Sequence, residues 1–69
     1  MDKLANVLDA ESYHWLSANH PEIVEAIESE VGAGNKPDRI KYFVLKHTGR
    51  EELALRCEAA ARYIVVRAG

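Results

Sequence analysis

Proline and glycine cut this chain at four places, and between the cuts apolar residues recur at helical spacing. His20-Pro21, Gly32-Ala33-Gly34-Asn35, Lys36-Pro37 and Thr48-Gly49 divide 69 residues into four segments. The residue before a proline is pushed out of helical geometry, so helices end at or before it. Proline itself suits the first helical turn, where its missing N–H is not needed. Glycine past a helix end supplies the left-handed residue that stops it. The pattern predicts an all-α fold, a small bundle of four short helices over approximately 3–18, 21–31, 37–47 and 50–66.

Each segment carries its own signals. In the first, Leu4, Val7 and Leu8 share a face, and Trp15 and Leu16 follow two turns later. Asp9 before Ala10-Glu11-Ser12 reads as a second N-cap, so a break near residue 9 is expected. The second opens at Pro21, capped by Asn19 or His20, with Ile23, Val24, Ile27 and Val31 on one side. Gly32 or Gly34 ends it. The third opens at Pro37, with Asp38 suited to the helix dipole. Ile40, Phe43, Val44 and His47 are spaced i, i+3, i+4, i+7, and Gly49 is the stop. The fourth starts either at Thr48, with Glu51 three residues on, or at Gly49 with Glu51 and Glu52 in the first turn. Leu53, Cys57, Ala60, Ala61 and Ile64 form one stripe, and Leu55, Ala59 and Val66 a second. Two stripes predict that the other helices pack around this one. Glu52–Arg56 and Glu58–Arg62 are acid-first i,i+4 pairs. The β-branched Ile64-Val65-Val66 stays helical in this reading, because a lone strand has no partner. The expected core is Leu8, Leu16, Ile27, Val31, Phe43, Val44, Leu53, Cys57 and Ile64, with Trp15 anchoring the first helix.

Charge is segregated along the chain. From Pro21 to Asn35 the charged residues are Glu22, Glu25, Glu28 and Glu30, a block of −4. From Lys36 to Arg50 they are Lys36, Asp38, Arg39, Lys41, Lys46 and Arg50, a block of +4. The net charge of −2 conceals this polarity. Opposed blocks on one small domain make surfaces that attract complementary partners, or each other.

Chemistry has little support in the sequence. No phosphate loop, HExxH, CxxC or nucleophile motif occurs, so no enzyme activity is expected. His14 and His20 are six apart, without the spacing of a helical metal pair, and the glutamates lack a calcium-loop pattern. No cofactor or metal is expected. The single cysteine, Cys57, sits mid-helix on an apolar stripe and reads as a small buried hydrophobe. One cysteine forms no intrachain disulfide. No segment approaches the ~18 apolar residues of a membrane span and the N-terminus lacks a signal-peptide pattern. A soluble, cytoplasmic protein of one domain is the expectation.

These observations predict a non-catalytic, adaptor-like protein–protein interaction module. Its acidic face, Glu22, Glu25 and Glu28, meets a basic surface, and its basic face, Arg39, Lys41 and Lys46, meets an acidic one. The partner is another protein or a second copy, including head-to-tail self-association. One alternative is a structural homodimer, since 69 residues give a marginal core. The other is a helix-turn-helix-like nucleic-acid regulator spanning Tyr42 to Arg62. That reading is opposed by Glu51-Glu52 at the start of the recognition helix and by an isoelectric point near 5.9.

Overall fold

The computed structural model describes residues 2–68, with side chains from residue 8 onward. Four helices account for nearly all of them: α1 (Asp2–Asn19), α2 (Pro21–Gly32), α3 (Pro37–Thr48) and α4 (Glu51–Ala68). The punctuation works as the sequence predicts. His20 and Lys36 precede the two helix-opening prolines in non-helical conformations. Gly34 (φ +97°) lies just beyond the end of α2, and Gly49 (φ +69°) caps α3 with its N–H on the Leu45 carbonyl. Both are left-handed positions that favour glycine.

The first helix is continuous, so the expected break at residue 9 does not occur. Asp9 is no cap. Its side chain turns inward, and the residue is 5% exposed. Its carboxylate accepts from Arg62 Nε (3.2 Å) and Nη2 (3.0 Å) on α4. Thr48 does not cap α4 either. Its hydroxyl donates to the Val44 carbonyl (2.7 Å) and accepts from the Arg50 N–H (3.1 Å), closing α3 and the turn. The Arg50 carbonyl accepts from Ala54 N–H and so opens α4.

The fourth helix is the hub. It packs on each of the other three, and α2 and α3 touch each other least of the packed pairs. Small side chains make this possible: Ala54, Cys57, Ala60 and Ala61 are fully buried, so neighbouring backbones approach α4 closely. The core is Leu16, Val24, Ile27, Ile40, Leu53, Cys57, Ala60 and Ala61, with Tyr13, Ile23, Val31, Val44 and Ile64 packed on its edge. Leu16, Ile27, Leu53 and Cys57 are buried as expected.

Leu8 and Phe43 are corrections to the expected core. Leu8 is 53% and Phe43 62% exposed. On α3 it is Ile40 and Val44 that meet α4, which leaves Phe43 at the margin of the apolar stripe. Trp15 is also peripheral, at 37% exposed, with the Arg56 guanidinium 4.4 Å from its ring centroid. It covers an edge instead of anchoring the interior. Leu4 and Val7 lie outside the described side chains. Among the described residues, no helix is long and apolar enough to cross a membrane.

Candidate functional site

The sparse contact between α2 and α3 leaves a groove along their length. It has a volume of about 310 Å³ and α4 forms its floor through Leu53 and Cys57. The two walls repeat one sequence device. On α2 the lining residues are Glu22, Ile23, Ala26, Ile27 and Glu30; on α3 they are Arg39, Ile40, Phe43, Val44 and His47, with Thr48 beyond them at the helix end. Both sets run i, i+1, i+4, i+5, i+8, which is one stripe of a helix two residues wide.

The inner row of each wall is apolar: Ile23 and Ile27 face Ile40 and Val44, with Ile27 and Ile40 buried. The outer rows form the rims and are exposed. The α2 rim reads Glu22, Ala26, Glu30. The α3 rim reads Arg39, Phe43, His47, with the Phe43 and His47 rings 4.3 Å apart. One rim is thus acidic around a small residue, and the other basic around a large aromatic. Because the loop of residues 33–36 joins the helices, Glu30 and Arg39 flank the loop end, where Asn35 Nδ2 donates to Glu30 Oε1 (2.9 Å). Glu22 and His47 flank the far end.

The predicted partner-binding residues divide accordingly. Glu22 and Arg39 belong to the rims. Glu25 and Glu28 are exposed on α2 but do not line the groove. Lys46 is exposed beside Tyr42 and Phe43 on the outer side of α3, and Lys41 is half-buried. Among the described residues no ion pair joins α2 to α3. Of Glu22, Glu25 and Glu28, Glu22 lies beside an imidazole, with His20 Nδ1 3.7 Å from its Oε2. Among the described residues the acidic and basic blocks therefore form no direct ion pair with each other.

Glu30, Ala26, Phe43 and His47 were not singled out from sequence as site residues. Their signal is the pairing of two i, i+4, i+8 rows, glutamate–small–glutamate on one helix and arginine–aromatic–histidine on the next.

His47 and Cys57 both line the groove, yet no hydrogen bond joins them, and burial pushes the Cys57 thiol up. An activated cysteine nucleophile requires the opposite shift. Among the described residues no three His, Cys, Asp or Glu side chains gather as a metal site.

A second exposed apolar patch, Leu8, Trp15 and Leu55, lies around a shallow depression with Glu11 on α1 and Glu52 and Arg56 on α4. Comparison with protein-family models, with curated proteins and with solved structures finds no match to this chain.

Proposed function

We propose that this protein is a non-catalytic protein–protein interaction module whose binding face is the α2–α3 groove. The observation that supports it is Phe43, a large aromatic left 62% exposed on the rim of an apolar groove. Exposed aromatics at the edge of an apolar depression are characteristic anchors of protein interfaces. A groove between two helices accepts the apolar stripe of a third helix, read as anchors at i, i+3, i+4 and i+7. Glu22 and Glu30 favour basic residues on one flank of that helix, and Arg39 and His47 favour acidic residues on the other. Glu25, Glu28, Lys41 and Lys46 extend the field of each side without contacting the apolar floor. The lone buried thiol of Cys57 fits a reducing, cytoplasmic setting.

Selection of helical peptides from a displayed library against this protein tests the reading. Enriched peptides should carry an apolar stripe flanked by basic and acidic edges. Their amide shift changes should map to Ile23, Val44 and Leu53, and Phe43→Asp should abolish binding. Peptides that map elsewhere, or that bind Phe43→Asp as tightly, contradict it.

A second reading keeps nucleic acid as the ligand. Lys36, Arg39, Tyr42 and Lys46, with the single acid Asp38, surround a shallow depression beside α3, with Tyr42 74% exposed, a net basic surface with an aromatic for stacking. The helix-turn-helix version is disfavoured, because the recognition helix would be α4, whose Ala54, Cys57, Ala60 and Ala61 are buried in the core. Binding of a single-stranded oligonucleotide at low salt that is lost on Tyr42→Ala would support this reading; no binding would end it.

A further inference from the structure

We propose that the occupant of the α2–α3 groove is a second copy of this chain, related by a two-fold axis that runs along the groove. The proposal rests on the reading of this face as the binding face and names its partner.

The groove face is complementary to itself. A two-fold interface brings the same patch from both subunits together, so whatever residue i meets, the reciprocal contact repeats. An axis parallel to the groove lays α2 of one copy over α3 of the other, and it preserves direction along the groove. The loop ends then meet, and so do the far ends. Glu30 of one copy faces Arg39 of the other, and Glu22 faces His47. In the middle row, Phe43 of one copy lies over Ala26 of the other, a large side chain against a small one. Each of these matches occurs twice. Apolar residues in the centre with charged residues at the rim is the ordinary anatomy of an interface.

No such matching exists inside one chain. The acidic block and the basic block occupy adjacent helices, yet no ion pair joins α2 to α3 among the described residues, and Phe43 is left uncovered. A face carrying both signs in separate rows is unusual for a merely solvated surface, where charges of both signs intersperse. Pairing across a two-fold axis uses all three rows at once. A second copy also relieves the small size of the core, for which oligomerisation is a common remedy in chains this short.

A charge-exchange experiment on the full chain separates this arrangement from others. One variant carries Glu22→Lys and Glu30→Lys; the other carries Arg39→Glu and His47→Glu. All four positions are exposed, so helicity by circular dichroism should match wild type. Mass is then read by sedimentation across a concentration series reaching the millimolar range. Wild type should shift from 7.7 kDa toward twice that value as concentration rises. Each variant alone should remain monomeric, because Glu30→Lys sets a cation against Arg39 of the other copy and Arg39→Glu sets an anion against Glu30. An equimolar mixture of the two should recover the dimer, since every rim then meets its opposite.

A wild type that stays at monomer mass throughout overturns the self-pairing. If it nevertheless binds the selected helical peptides in the groove, only the choice of partner fails; if it binds none, the reading of the face fails as well. Variants that dimerise alone as well as wild type overturn the proposed contacts. A mass that keeps growing beyond the dimer indicates head-to-tail assembly and overturns the two-fold arrangement.

Discussion

Asp9 and Arg62, separated by 53 positions in sequence, form the one hydrogen-bonded ion pair between helices among the described residues. Arg62 presents Nε and Nη2 to the two oxygens of a carboxylate that is almost fully buried, while its Nη1 lies 3.3 Å from Glu58 Oε1 on its own helix. The guanidinium's planar fork suits this two-point contact, which an ammonium would not reproduce. The hydrogen bonds to Asp9 push the Arg62 guanidinium pKa further up, so it stays charged at every accessible pH.

Removing Arg62 leaves the Asp9 carboxylate buried without its partner. Hydrogen bonds to charged groups contribute about 1.5–3 kcal/mol, and the half-exposed arginine moves the expectation toward the lower end. Arg62→Met should therefore lower stability by about 1–2 kcal/mol. Asp9→Asn should cost less, because the amide oxygen still accepts. Glu58→Gln should cost only a few tenths, as for other i,i+4 pairs. Thermal unfolding of the three variants checks the order.

Leu16 and Phe43 should behave oppositely despite similar hydrophobicity. Leu16 is fully buried, so Leu16→Ala should cost about 2–5 kcal/mol and bring a chain this small close to unfolding. Phe43→Ala should change the stability of the isolated monomer by about 0.5 kcal/mol or less, since the side chain is mostly in solvent. Denaturant titration in dilute solution compares them.

Gly49 has φ +69°, and a Cβ built there meets nothing within 4 Å. The cost of Gly49→Ala is then conformational alone, about 1–2 kcal/mol. Gly32, the last residue of α2, has no positive φ and equally open surroundings. Gly32→Ala should be neutral or slightly stabilising. A paired measurement of unfolding midpoints tests the contrast.

Cys57 gives a pH dependence with a definite sign. Burial disfavours its thiolate, so the folded chain holds the proton to higher pH than the unfolded chain. This contribution is fully present below the ordinary thiol pKa of about 8.5 and is lost as pH rises through the raised folded value. Cys57→Ala should flatten that part of the alkaline decline in stability. The native thiol should also resist alkylation until the chain unfolds. Rapid alkylation of native protein at neutral pH would contradict the burial.

The helices were legible because their signals are local. Pro21, Pro37, Gly34 and Gly49 act within a turn of themselves, and the double stripe of α4 marks it as the hub. Long-range outcomes were not. Asp9 resembles a cap because its partner lies on another helix. Phe43 fits the i, i+3, i+4, i+7 set of Ile40, Val44 and His47, but periodicity identifies a face without saying how wide a strip its neighbours cover. The charge blocks showed which helix is acidic and which is basic. Only the separation of α2 from α3 shows that no ion pair joins them among the described residues, and that separation follows from both helices packing on α4.

The central claim is that the α2–α3 face is where this chain binds, and amide chemical-shift mapping over a dilution series tests it most directly. Shifts that change with concentration should be confined to Ile23, Ala26, Phe43, Val44, His47 and their neighbours, and should diminish in high salt. Changes centred instead on Leu8, Trp15 and Leu55, with the groove residues unmoved, would contradict it.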